Sequence, residues 1–172
     1  AAATVVMLRD GTAGLEVFMV RRHGLSDVLG GAYVFPGGKV DPVDAELQPQ
    51  DHLDQHPDLL HASLGEPELD ALQATALYVA AVREAFEECG VLFAQGPDAS
   101  AMDVTEVAAL CRAGHSFNEA VATLGLRLHT QALAPWSRWV TPAKSPIMTK
   151  RFDTRFFLAA APTGQTALHD DH

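Results

Sequence analysis

Residues 82–91, Val-Arg-Glu-Ala-Phe-Glu-Glu-Cys-Gly-Val, constrain this chain more than any other stretch, because they combine helical periodicity with clustered charge. At 100° per residue, the helix predicted for residues 71–89 has an apolar side and an acidic side. The apolar side holds Val79, Val82, Phe86 and Cys89. The acidic side holds Glu84, Glu87 and Glu88, at the spacing i, i+3, i+4 that makes side chains converge. Gly90 follows as the expected left-handed C-cap.

The acidic side is unfavourable for a purely structural helix. Like charges at these spacings repel by about a few tenths of a kcal/mol per pair, and acidic groups in the last turns oppose the helix dipole at a cost of about 0.3–1 kcal/mol each. Arg83 offsets part of this by pairing with Glu87 at i+4. A divalent cation would offset more, because Mg²⁺ and Mn²⁺ prefer carboxylate oxygens. The helix alone leaves two interpretations open, a metal site and a solvated acidic face.

Composition excludes several classes of function. A length of 172 residues fits one domain, which we expect to span residues 1–172. The absence of an apolar run of 18 residues predicts no membrane span. A net charge of −10 argues against nucleic acid as the main partner. Two cysteines without metal-ligand spacing predict reduced thiols and a cytoplasmic protein, or one of an organelle lumen if the source is eukaryotic.

The remaining pattern predicts an α/β protein. Strands are predicted at residues 3–8, 15–21, 136–141 and 151–160, and helices at 103–113 and 116–124. The first two strands should form a hairpin across an Asp-Gly turn. Residues 39–71 are rich in Asp, Glu, Gln, Pro and His, and are predicted to be a surface segment outside the core. Its histidines (His52, His56 and His61) and the tail 169–172 are interpreted as solvated polar groups.

Two short features could bear on binding. Arg21 and Arg22 end the second strand, where they are either solvated or contact an anionic substrate. Pro36-Gly37-Gly38 allows a bend that a residue with a Cβ would not easily tolerate, and it could aim a backbone carbonyl at an ion. Taken alone, such a tripeptide is usually only a turn.

Pro36-Gly37-Gly38 and residues 83–91 together resemble the Nudix box, the signature of Nudix hydrolases. The second half of the box, Arg-Glu-apolar-x-Glu-Glu-x-Gly-apolar, matches at every specified position. It starts 45 positions after Gly38, where the intact pattern needs 14, so the resemblance implies an insertion of about 31 residues, roughly 45–74. The first glutamate of the box has two alternatives: counting forward from Gly38 gives Asp44, and counting back from Arg83 gives Thr75.

The resemblance implies the Nudix fold, an α/β/α sandwich with a mixed β-sheet. The glutamate helix would pack on one face of that sheet through Val79, Val82 and Phe86. A Nudix domain normally continues past residue 160 with another strand and a helix. We therefore expect that part of the domain is missing from this sequence or supplied differently.

The resemblance also implies a site. The Gly37 carbonyl and the carboxylates of Glu84, Glu87 and Glu88 would hold Mg²⁺ or Mn²⁺, which lowers the pKa of a water that attacks phosphorus. One carboxylate, Glu84 or Glu88, would also accept the proton of that water. Arg83 belongs to this catalytic set by orienting Glu87.

A break inside the box resembles the branch of the family that hydrolyses coenzyme A and acyl-CoA. Arg22, Gly31 and Phe35 match part of a motif of coenzyme A-cleaving members and are the expected substrate-binding residues, although Asp27 stands where that motif has Arg. The expected partner is a small nucleotide-derived molecule, and a homodimer stays open. Alternatives are hydrolysis of ADP-ribose or a dinucleotide, and a non-catalytic Nudix-like binding module.

Overall fold

The structure is a computed structural model that describes residues 1–22, 31–100, 102–142 and 151–168. Its main sheet contains the strands β1 (Ala2–Gly11), β2 (Gly14–Val17), β5 (Gly37–Lys39), β8 (Ala134–Val140) and β9 (Asp153–Ala160). Two ribbons pair β3 (Val20–Arg21) with β4 (Tyr33–Val34), and β6 (Ala94–Gln95) with β7 (Arg127–Leu128). The α-helices are α1 (Pro49–His52), α2 (Pro57–Leu64), α3 (Ala71–Cys89), α4 (Val104–Arg112) and α5 (Phe117–Thr123).

The strand β1 is the centre of the main sheet. It runs parallel to β9, with Ala2 opposite Thr154 and Leu8 opposite Ala160. It runs antiparallel to β5 and β2, which pair with its first and last residues. Antiparallel pairing of β8 with β9 completes the sheet. The sheet is therefore mixed and the fold is α/β, as predicted.

The apolar run at the start of β1 explains its central position. Ala3, Val5 and Met7 are buried against the hydrophobic core, and Val6 on the other face is also buried. A strand buried on both faces reads as a nearly continuous apolar run, which is the pattern of these residues.

Helix α3 has the predicted bounds and ends. Asp70 and Gln73 form a capping box at its start, and Gly90 ends it with φ of 69°. The predicted apolar side is buried, and burial continues around the helix from Ala74 to Arg83. This wider burial arises because α3 packs on β1 and β5 and also against α2, where the Tyr78 hydroxyl hydrogen-bonds Ser63.

The predicted strand 15–21 is broken in the structure. Its first part forms β2, whereas Val20 and Arg21 form β3 and pair with β4 in a separate ribbon. The hairpin turn also lies later than predicted, at residues 12–13, because Gly11 pairs with Gly14. Local alternation does not show which partner strand each half will meet, and this explains the error.

The prediction that residues 39–71 lie outside the core is wrong in part. Leu47, Leu53 and Leu60 are buried and belong to the hydrophobic core. Leu60 lies on α2, which packs on α3, and Leu53, which follows α1, forms a bridge with Leu128 of β7. Because the segment is mostly polar in composition, its three core leucines were not predicted to be buried.

Other sequence predictions have mixed outcomes. Helices α4 and α5 are confirmed, with Asp103 as N-cap of α4 and a Ser116–Glu119 capping box on α5. Cys89 is a buried free thiol, and burial raises its pKa to about 11. None of the described helices is both long and apolar enough to span a bilayer. Asp27 and the tail 169–172 lie outside the described residues.

An ion-pair network attaches the inserted segment to the sheet. Arg155 on β9 is almost fully buried, and its Nε and Nη2 donate to the carboxylate of Glu66 at 3.0 and 2.6 Å. Arg138 on β8 binds Glu66, Glu68 and Asp153. Because Arg155 is buried and bonded to Glu66 at two nitrogens, this pair is costly to break.

We expect Arg155→Met to lower the free energy of unfolding by about 3–5 kcal/mol, because it leaves Glu66 without its buried partner. Arg9→Met is the matched control, since Arg9 pairs with Glu16 on the surface and is 72% exposed; its loss should stay below about 1 kcal/mol. Urea denaturation measures both. Equal losses for the two variants would contradict a structural role for the network.

Candidate functional site

The site forms where Gly37 and Gly38, which start strand β5 and are called the glycine turn below, meet the end of α3. Strand β5 pairs with the start of β1 and packs on α3, which brings Gly37 to Glu88 across 51 sequence positions. The Gly37 backbone N–H donates to Glu88 Oε2 at 2.9 Å. The two parts of the sequence that resembled one signature are therefore in direct contact.

Close approach explains why both turn positions are glycine. A Cβ at Gly38 would overlap the Glu84 carboxylate, and a Cβ at Gly37 would overlap the backbone of Ala3 and Thr4 on β1. Neither glycine has positive φ, so the requirement is for space and not for a left-handed backbone. The absence of a side chain at Gly37 and Gly38 lets the side chains of Glu84 and Glu88 lie directly against the backbone.

Arg83 is the buried hub of the site. Its Nε and Nη2 donate to the two oxygens of Asp44 at 2.8 and 3.0 Å. Its Nη1 donates to Glu84 and Glu87 at 2.8 and 2.9 Å, and Nη2 also donates to the Lys39 carbonyl. The predicted Arg83–Glu87 contact is present, and Arg83 holds Glu84 in the same way.

The structure decides between the two alternatives for the first acidic residue of the box. Asp44 lies in a 3₁₀ turn, Pro42–Ala45, that packs on α3; it is fully buried and faces Arg83. Thr75 instead donates its hydroxyl to the Ala71 carbonyl within α3. Asp44, the position reached by counting forward from Gly38, is therefore the residue that pairs with Arg83.

Burial and neighbouring charges shift the pKa values of the carboxylates at the site. Burial chiefly raises the pKa of Glu84; Arg83 opposes the shift, and the charges of Glu87 and Glu88 add to it. Burial also raises the pKa of Glu88, while the Gly37 N–H and the charge of Arg22 lower it in part. Burial disfavours a charged Arg83, but its hydrogen bond to Asp44 raises its pKa above the ordinary value.

The predicted trio of glutamates is only partly assembled. Glu84 and Glu88 are half-buried against the turn, whereas the Glu87 side chain is 47% exposed and leans toward Arg83. Across residues 1–22, 31–100, 102–142 and 151–168, no three Asp, Glu, His or Cys side chains form a ready-made metal cage. Each glutamate has one oxygen in a hydrogen bond, to Arg83 or to Gly37.

The donor set nevertheless fits a hard divalent cation. Carboxylate oxygens are its preferred ligands, and the second oxygen of each glutamate accepts no hydrogen bond within the described part of the chain. Burial raises the pKa values of Glu84 and Glu88 by penalising their ionised forms, and a bound cation would offset that cost.

The predicted substrate residues lie at the ends of the strands of the β3–β4 ribbon. The Gly31 N–H donates to the Arg22 carbonyl at 3.1 Å, so the ribbon of β3 and β4 holds them together. Arg22 lies close enough to Glu88 to lower its pKa. Phe35 is half-buried between β4 and Pro36, whose carbonyl accepts from the Val5 N–H at 2.8 Å.

Comparisons with known proteins agree with this geometry. A family model described as the NUDT19 Nudix domain matches residues 1–172. The acyl-coenzyme A diphosphatase NUDT19 of Xenopus laevis is 23% identical over 95% of this chain, which spans about half (52%) of that protein's length. The crystal structure of a NUDIX hydrolase from Alicyclobacillus acidocaldarius is 33% identical, covers 93% of this chain and 68% of that one, and superposes with a TM-score of 0.69. The chain thus belongs to the Nudix hydrolase family, and its family match is to the NUDT19 Nudix domain.

Proposed function

We propose that this protein uses a divalent metal to hydrolyse a pyrophosphate bond in a nucleoside diphosphate derivative, with coenzyme A or acyl-CoA as the favoured substrate. The observation that carries the proposal is the contact of Glu84 and Glu88 with Gly38 and Gly37, in which Arg83 holds Glu84 and the Gly37 N–H holds Glu88. A solvated acidic face would not need a buried Asp44–Arg83 pair beneath it.

The residues of the site have separate roles in metal binding, proton transfer and positioning. Glu84, Glu87 and Glu88, with the Gly37 carbonyl, would hold Mg²⁺ or Mn²⁺. Bound there, the ion would supply charge neutralisation at the pyrophosphate and a more acidic water. Glu84 or Glu88 would also accept the proton of the attacking water, because both carboxylates lie half-buried beside Gly37 and Gly38 where that water would be held. Arg83 positions Glu84 and Glu87 and does not contact substrate.

The substrate assignment rests on similarity and on charge. The relative from Xenopus laevis is described as an acyl-coenzyme A diphosphatase. A chain with a net charge of −10 repels polyanions, so local cations must attract the substrate. Arg22 and the bound ion provide them at this site, while Gly31 and Phe35 line the approach. Hydrolysis of coenzyme A would release a 3′-phosphorylated nucleoside monophosphate and 4′-phosphopantetheine.

We expect the protein to cleave coenzyme A or acyl-CoA in the presence of Mg²⁺ or Mn²⁺ and to lose activity with EDTA. Glu87→Gln should lower kcat on the order of 100-fold or more, because it removes a proposed metal ligand whose exposed side chain contributes little to folding. Product identification by mass spectrometry after incubation with coenzyme A and Mn²⁺ provides the measurement.

Each alternative has its own outcome in the same experiment. If coenzyme A stays intact while ADP-ribose or a dinucleotide is cleaved, the substrate class is wrong and the reaction type stands. If the chain binds these ligands but cleaves none, it is a binding module. An unchanged rate for Glu87→Gln would show that the assigned carboxylates do no chemistry.

Metal binding can also be followed without turnover. The raised pKa of Glu88 means that its ionised form costs stability at pH values above that pKa, so Glu88→Gln should be at least as stable as the wild type in EDTA. Millimolar Mn²⁺ should raise the melting temperature of the wild type and leave that of Glu88→Gln nearly unchanged. Differential scanning fluorimetry gives both values.

Glu106→Gln is the control for the melting experiment. Glu106 is an exposed acidic residue on α4, so Glu106→Gln removes one negative charge, as Glu88→Gln does, but leaves the site intact. It should keep the wild-type response to Mn²⁺. A similar loss of response in both variants would attribute the metal effect to overall charge.

The two glycines of the turn should differ in their effect. Gly38→Ala pushes against the Glu84 carboxylate, which can swing away, so we expect on the order of 10-fold or greater loss of kcat in a folded protein. Gly37→Ala collides with the backbone of β1, which cannot move as easily, so its main effect should be a lower melting temperature. Kinetics and thermal unfolding of both variants test the assignment, and the reverse result would refute it.

A further inference from the structure

A cavity of about 660 Å³ lies beside the carboxylate site and is not used by the chemistry described above. It is bounded by the last turns of α3, by α4, and by the start of α5. Leu168 closes one side, and its N–H donates to the Cys89 carbonyl at 3.0 Å. The volume lies within the range of about 300–1,000 Å³ that is usual for small-molecule sites.

The lining of this cavity is mixed, because Thr105, Arg112, His115 and Ser116 line it together with an apolar wall and two carboxylates. The apolar part comprises Phe86, Val104, Ala108, Cys111, Phe117 and Leu168. Phe86 and Phe117 pack with ring centroids 5.9 Å apart, so the wall between α3 and α5 is a fixed aromatic surface. Glu87 and Glu88 form the edge that is shared with the carboxylate site.

This shared edge restricts what the cavity can hold. A molecule whose pyrophosphate lies on Glu84 and Glu88 needs only to continue past Glu87 to enter the space between α3 and α4. The apolar wall suits an aliphatic group, and the polar side chains of Thr105, Arg112, His115 and Ser116 can hydrogen-bond the polar groups of an arm that enters.

We propose that the cavity between α3, α4 and α5 receives the acyl-pantetheine arm of the substrate, with the acyl group on its apolar wall, and thereby selects acylated substrates. The inference rests on the proposed function and adds the location of the acyl-pantetheine half of the substrate. The nucleotide half would then lie toward Arg22, whose charge acts on Glu88 and which does not line the cavity. Helix α4 is the specificity-determining wall.

Ala108→Trp tests the proposal by filling the cavity from α4. We expect kcat/KM for a long-chain acyl-CoA to fall at least about 10-fold, while kcat/KM for a nucleoside diphosphate substrate without the arm, such as ADP-ribose, stays within about 2-fold. Dependence on acyl-chain length, measured from short to long acyl-CoA, should disappear in the variant.

Ala109→Trp is the matched control. Ala109 is the next residue of α4 and is exposed, so the same substitution adds the same indole outside the cavity. Melting temperatures close to wild type for both variants establish that they are folded. Equal kinetics for Ala108→Trp and Ala109→Trp would overturn the proposal, as would an equal loss by Ala108→Trp on all substrates.

A second measurement needs no variant and no turnover. Cys111 lines the cavity and is partly exposed, whereas Cys89 is only 2% exposed and hydrogen-bonds the Ala85 carbonyl. Alkylation by a maleimide, located by peptide mass spectrometry, should therefore modify Cys111 first. Acylated 4′-phosphopantetheine should slow that modification severalfold, and adenosine 3′,5′-bisphosphate, which lacks the arm, should not. Equal protection by both compounds, or by neither, contradicts the proposal.

These outcomes separate the inference from the proposed function. A wild-type protein that cleaves no pyrophosphate refutes the function and the cavity assignment with it. Cleavage of acyl-CoA by the wild type, combined with unaltered selectivity of Ala108→Trp and an unprotected Cys111, refutes the cavity assignment alone.

Discussion

The buried ion pair between Arg83 and Asp44 connects every part of the site. It joins helix α3 to the turn that follows β5, over 39 positions of sequence, through two hydrogen bonds of 2.8 and 3.0 Å. The remaining guanidinium nitrogen holds Glu84 and Glu87, and the Lys39 carbonyl ties the same arginine to the glycine turn. Because a buried guanidinium must have its charge and its donors satisfied, this arrangement fixes where the carboxylates lie.

That constraint explains why acidic residues can be concentrated at the end of a helix. Three glutamates there oppose the helix dipole and one another, and burial adds to the cost of ionising Glu84 and Glu88. A structural helix gains nothing from such a placement, whereas a site that holds a cation and activates water needs it. The cost is localised at the last two turns, while the first part of α3 is buried as an ordinary core helix.

Residues 39–71, predicted as a surface segment, are part of the fold. Their leucines (Leu47, Leu53 and Leu60) join the hydrophobic core, and Glu66 binds Arg155 on β9 and Arg138 on β8. The segment is therefore fixed at two places, by Asp44 near its start and by Glu66 near its end. Asp44 binds Arg83 of α3, so two residues that are 39 positions apart in the sequence meet at the site.

The sequence by itself determined helix α3, its caps, its apolar side and the spacing of its glutamates, because these depend on local periodicity and on charges a few residues apart. It also determined α4, α5, β8 and β9, whose N-caps and strand-like runs are local signals. Only the tertiary structure decided that Asp44 and not Thr75 faces Arg83, that Gly37 binds Glu88, and that the strand after β2 leaves the sheet. These contacts join residues 39 to 51 positions apart or depend on which strands become neighbours, and no local pattern encodes them.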